Sequence, residues 1–191
     1  MVNLYKSLVL SYIESGTAAY YHAAVSVLLP IDRVQRRLLR ELGLSEREAL
    51  ERYKLAPLET RRDIAMLGLL HRISIGQAPL QLTELFPRAL PPRPRAFSDH
   101  TRLHTALKRQ DRQFLERSSH TDVFRKSIFG LVASYNLLPQ SVVDIATVQG
   151  SQRELQNAVL EIAQGGLGGW PRVLSGTVIR RQVTFQRLFK E

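Results

Sequence analysis

The sequence predicts an all-α protein: a helical bundle joined by a Pro/Arg-rich linker to a smaller helical C-terminal module. Three observations carry this. Apolar residues recur at spacings of three and four through most of residues 3–75 and 122–164. Prolines and glycines fall where such helices would start and stop. Four of the nine prolines crowd into residues 87–98, PRALPPRPRAFS, a composition that excludes helix and interior strand.

Each element follows from local pattern. In residues 3–14, Leu4, Leu8 and Tyr12 lie four apart beside Tyr5, Val9 and Ile13, giving a wide apolar face that Gly16 ends. A second, largely buried helix is expected over 18–28. Residues 30–42 give the clearest helix: Pro30 suits its first position and Gly43 the position past its end. Ile31, Val34, Leu38 and Leu42 share one face, and Arg33, Arg36, Arg37 and Arg40 the opposite one. Ser45 and Glu48 form a capping-box pattern that opens a helix over 46–54. Pro57 starts another, over 57–75, which Gly76 ends. Its second half is apolar nearly all round, as a central core helix would be. A short piece, PLQLTELF, follows. The pattern returns at 122–136, where Phe124, Ile128, Leu131 and Tyr135 align and Pro139 stops the helix. A last helix at 147–164 is capped by Thr147 or Ser151 and ended by Gly165 and Gly166. The domain plan is therefore 1–86 as the bundle, 87–121 as linker and irregular segment, 122–170 as the C-terminal module and 171–191 as a tail.

Composition narrows function. Against 17 Asp+Glu stand 27 Lys+Arg, a net charge of +10, and 22 of those cations are Arg. Arginine is the planar, weakly hydrated cation that grips phosphate and carboxylate in forks, so nucleic acid leads the partner classes. The absence of cysteine excludes disulfides, thiolate metal sites and thiol nucleophiles. No run of about 18 apolar residues offers a membrane span, and the N-terminal stretch reads as an ordinary helix, so an intracellular protein without a membrane partner is expected. GGLGGW at 165–170 lacks the Lys-Ser/Thr pair of a phosphate cradle and the Rossmann spacing, and no nucleophile elbow occurs. His100 and His104 could share a helical face, with Asp99 or His120 as a third ligand, but two exposed histidines in a basic segment explain the pattern better. His22 and His71 read as satisfied buried histidines. No cofactor and no metal are expected.

The positive signal is the arginine row. Spacings of three to four along 33–40 make a strip about 10 Å long, enough for two or three phosphates. The competing reading is a solvated face, partly neutralised by Asp32 and Glu41.

Four segments, in order, resemble the region that follows the palm in non-LTR (LINE-type) retrotransposon reverse transcriptases. They are LYKSLVLSYIESGTAAYYHA at 4–23, IDRVQRRLLRELG at 31–43, LAPLETRRDIAMLGLLHRI at 55–73 and FRKSIFGLVASYNLLPQSVVDIATVQGSQREL at 124–155. Tyr135 stands where the family usually has Trp, Ser151-Gln152 replaces a usual aromatic anchor, and the last 20 residues match nothing in it. The catalytic palm and its Asp-Asp box are missing from this chain. The resemblance implies a thumb-like module, 1–86, that holds a primer–template duplex, RNA–DNA or DNA, and works with a palm domain on another chain. The expected function is non-catalytic, sequence-neutral binding of duplex backbone through Arg33, Arg36, Arg37 and Arg40, with Arg61 and Arg62 as secondary contacts. The alternative is a degenerate transposon remnant, a helical structural or self-association module. An exposed apolar patch beside the first helix would favour the remnant, and a continuous arginine face would favour binding.

Overall fold

The computed structural model describes residues 1–89, 110–117, 121, 123–124 and 127–164, with side chains to residue 160. The described residues are helical, with one isolated antiparallel bridge between Arg88 and Phe114 and no sheet. The fold is all-α. Parts of the expected linker (90–98), the segment 99–109, the histidines His100, His104 and His120 with Asp99, and the tail 171–191 lie outside the described residues.

Helix α1 runs without a break over residues 2–15. Its middle, Tyr5–Leu10, is π-helical, with Ser11 N–H bonding the Lys6 carbonyl five residues back. The sequence supplies the reason. Tyr5 and Leu10 are both buried (6% and 3% exposed). Five residues apart, they would diverge by about 140° on an α-helix, and the wider turn brings them to one side. The expected apolar face is thereby split. Tyr5, Leu10 and half-buried Ile13 join the core, while Leu4, Leu8 and Tyr12 face outward.

The helix expected at 18–28 is a single turn, α2 (Thr17–Tyr20), and the chain re-enters helix at Val25. Helix α3 (Val25–Glu41) runs through Pro30, which was expected to start it. Proline there forfeits only a bond to the Ser26 carbonyl, and both residues lie on the exposed side. Gly43, at φ 62°, ends α3 with Leu44 N–H bonded to the Leu39 carbonyl. Helix α4 (Glu46–Tyr53) opens on the expected capping box: Ser45 N–H donates to Glu48 Oε2 (3.0 Å), and Glu48 N–H donates to Ser45 Oγ (3.2 Å).

Helix α5 (Leu58–Ser74) is the central element that the sequence implied. It is touched by α1, α2 and α3 on one side of the chain order and by the last helices on the other. Helix α6 (Leu80–Leu85) follows. Helix α7 (Ile128–Asn136), the short α8 (Gln140–Val143) and α9 (Val148–Gln164) complete the described fold. Both α7 and α9 pack on α5, and α9 also reaches α4. The main core runs from Tyr21 and Leu50 through Leu67, Leu70 and Ile73 to Leu131, Tyr135, Leu155 and Val159. It does not divide at the Pro/Arg-rich stretch. A second cluster gathers Tyr5, Leu10, Leu39, Ala49, Leu55 and Leu58 where α1, α3 and α4 meet.

Candidate nucleic-acid interface

The side of α3 that meets the core is centred on Gln35 and Leu39, its buried residues, with Ile31 and Leu38 half-buried beside them. Val34, expected in the core, is 45% exposed. Gln35 is held inside by two bonds: its Nε2 donates to the Ala56 carbonyl (3.0 Å), and Tyr5 Oη donates to its Oε1 (3.5 Å). Burial pushes the Tyr5 hydroxyl up to about 12, so it stays a donor at every physiological pH.

This rotation fixes the arginines. Arg33, Arg36, Arg37 and Arg40 are all exposed on the other side of α3, within an arc of about 100°. Arg37 is 81% exposed and pairs with Glu41 at 3.0 Å, one turn on. Such a pair on an open surface is worth less than about 1 kcal/mol, so Arg37 is readily recruited by a stronger anion. Among the described residues no carboxylate lies within ion-pair distance of Arg33, Arg36 or Arg40. Asp32, a neighbour expected to offset the row, turns inward to Arg62 instead.

Arg61 and Arg62 sit elsewhere. Arg62 is 5% exposed and forks onto Asp32, Nη1 to Oδ1 at 2.6 Å and Nη2 to Oδ2 at 3.1 Å, tying α5 to α3. Burial lowers the pKa of its guanidinium, but the bonds and charge of Asp32 outweigh this and raise it above the ordinary value. Arg61 pairs with Glu14 and ties α5 to α1. The ion pairs run to Glu14 and Asp32, and the charge of Glu59 also acts on Arg62. The structure therefore brings four of the six expected arginines together and sets two apart as internal ties.

The second group of polar residues is internal. His71 is fully buried: Nε2 lies 2.7 Å from the Ile145 carbonyl, which can only accept, so Nε2 carries the proton. Its Nδ1 faces Tyr135 Oη at 3.2 Å. Tyr135 Oη donates to Ser74 Oγ (2.7 Å), which donates on to the His71 carbonyl (2.8 Å). His22, by contrast, is exposed, because the helix expected to bury it breaks there. Asn136 clamps the non-helical segment 110–117 at Phe114, accepting from Phe114 N–H and donating to the Phe114 carbonyl, both at 2.9 Å. Arg88, from the Pro/Arg-rich stretch, donates to the carbonyls of Ser74 and Arg112 and lies over the Phe114 ring at 4.9 Å. Neither the Asn136 clamp nor the Arg88 anchor has a signal in spacing, since both depend on contacts across more than ten residues.

Among the described residues no group of three or more His, Asp or Glu could hold a metal ion. No helix there is long and apolar enough to cross a membrane. No family model, no curated protein and no solved structure matches the chain.

Proposed function

We propose that the chain binds the phosphate backbone of a nucleic-acid duplex without reading sequence, through Arg33, Arg36, Arg37 and Arg40, and performs no chemistry itself. One observation carries this reading: four arginines, aligned along about 10 Å of helix, are all exposed and only one has an acidic neighbour in reach. A helix whose opposite side is pinned by Gln35 and Leu39 presents such a row on a fixed backbone, so binding has to order only the arginine side chains, at about 0.5–1.5 kcal/mol each. The resemblance to the post-palm region of non-LTR reverse transcriptases supports the same reading, with the polymerase palm supplied by another chain. Arg61 and Arg62 are left out of the contact set because their guanidinium groups are engaged inside the protein.

Two or three phosphate contacts give a log–log salt slope of about −2 to −3 for a duplex, at about −0.9 per contact. Replacing Arg36 and Arg40 together with Ala flattens that slope by about two units and weakens all duplex sequences alike. Fluorescence anisotropy of labelled DNA and RNA–DNA duplexes across a salt series measures it. An unchanged slope in the double variant reduces the row to a solvated face.

A further inference from the structure

The outward side of α1 is an apolar surface without a partner among the described residues. Leu4, Leu8 and Tyr12 are 57%, 63% and 81% exposed, and Met1 at the same end is 81% exposed. Large residues four apart form a ridge. Alongside runs a row of small ones, Ser7, Ser11 and Ser15, also four apart and exposed. An α-helical four-residue step overshoots the turn by about 40°, whereas the wider π turn at Tyr5–Leu10 undershoots it, so the rows stay on one side of the helix.

The serines do not make this side polar. Ser7 Oγ donates to the Leu4 carbonyl, Ser11 Oγ to the Ser7 carbonyl and Ser15 Oγ to the Tyr12 carbonyl. Their hydroxyl protons are satisfied within the helix, so covering them strands no donor. The ridge and the row of small residues also carry no charged side chain, in a chain of net charge +10.

We propose that this surface pairs with itself, α1 against α1 of a second copy, about a twofold axis near Leu8. Two features favour a second copy. A ridge and a groove of the same spacing on one helix are self-complementary: a twofold lays the Leu4–Leu8–Tyr12 ridge of each copy in the serine groove of the other, the four-four packing that crosses helices at about −50°. And two chains of net charge +10 repel wherever arginines meet, so an uncharged face is where they approach at least cost. An anionic membrane fits less well. The side of α1 away from the ridge is packed into the protein, and Lys6, its one lysine, is turned to the Tyr53 carbonyl. The paired surface covers on the order of 1,000 Å² in all, the small end of specific interfaces, so micromolar dissociation is expected.

Sedimentation velocity from about 1 to about 200 µM spans that range. The wild-type chain shows a concentration-dependent monomer–dimer equilibrium, and Leu8→Glu stays monomeric with an unchanged circular dichroism spectrum. Filling the groove with Ser11→Leu, which adds no charge, weakens the dimer at least tenfold. A wild-type chain that is monomeric throughout, or a dimer that survives both Leu8→Glu and Ser11→Leu, overturns the proposal. So does a monomer that instead co-sediments with phosphatidylcholine vesicles in a Leu8-dependent way. None of these variants touches the arginine row, so duplex binding stands or falls independently.

Discussion

Arg36 and Arg62 are the same residue type on helices that touch, yet one faces water and the other is 5% exposed and forked onto Asp32. The difference is which side of its helix each occupies. Arg62→Ala strands Asp32 in a half-buried site and is expected to cost about 3 kcal/mol, as removal of one partner of a buried pair does. Urea denaturation measures it, while duplex affinity of the folded fraction stays at the wild-type level. His71 carries a pH dependence of definite sign. Burial is the main cause that lowers its pKa, aided by the charge of Arg112 and opposed by the Ile145 carbonyl. A histidine with a lowered folded-state pKa contributes stability that is full above the unfolded value, about 6.5, and is lost as pH falls below it. Thermal melts between about pH 7.5 and 5.5 should show that decline, and His71→Gln should flatten it. Sequence reading recognised His71 as a buried histidine but took Arg61 and Arg62 for secondary duplex contacts rather than internal ion pairs. It could not name Ile145, Tyr135, Glu14 or Asp32 as the partners, because pairing across 30 to 74 residues is decided by packing, not by spacing.

At the scale of elements, what was legible is what local chemistry decides. The Ser45–Glu48 box, the glycine stops at 43 and 76, both at positive φ, and the arginine side of α3 all follow from residues within one or two turns. What was not legible is how apolar residues are shared out when a helix has too many. Helix α1 carries them nearly all round, and only contact with the Leu39–Leu58 cluster selects Tyr5 and Leu10 over Leu4 and Leu8. The same holds for α3, where a glutamine outcompetes Val34 for the inside because Ala56 offers it a carbonyl. Two substitutions test the element-level reading. Ser45→Ala removes the α4 cap and should cost about 1 kcal/mol. Gly68 marks the close approach of α5 to α9: a Cβ there would overlap the Gln152 side chain. Gly68→Leu is therefore expected to cost about 2 kcal/mol through overpacking, despite leucine's better helix propensity. Chemical denaturation of both variants gives the comparison.

Over the whole molecule, the composition that suggests two modules and the packing that joins them pull in opposite directions. The prolines of 87–98 mark a change in local structure, and residues 110–117 beyond them form no helix, with a turn at 111–112 and a bridge at Phe114. Packing then crosses that stretch. Tyr135, Leu131 and Leu155 lie in one cluster with Leu67, Leu70 and Ile73, and the C-terminal half of α5 bonds across it, Ser74 Oγ accepting from Tyr135 Oη and His71 Nε2 donating to the Ile145 carbonyl. A boundary in composition is thus not a boundary in the core, because a linker signal reports backbone preference while burial is set by which apolar faces remain uncovered. The second half of helix α5 is apolar nearly all round, and α1–α4 alone cannot cover it. Residues 1–86 expressed alone should expose Leu67, Leu70 and Ile73, each at most 2% exposed in the full chain. Uncovering three such side chains costs about 1.5–3 kcal/mol each, comparable with the whole stability of a small domain. The fragment is therefore expected to lose cooperative unfolding and to bind a hydrophobic dye. The full chain should instead unfold in one transition, coincident by circular dichroism and tyrosine fluorescence. If 1–86 melts cooperatively on its own with the full chain's midpoint, the core divides at the prolines after all, and residues 1–86 are an independent domain.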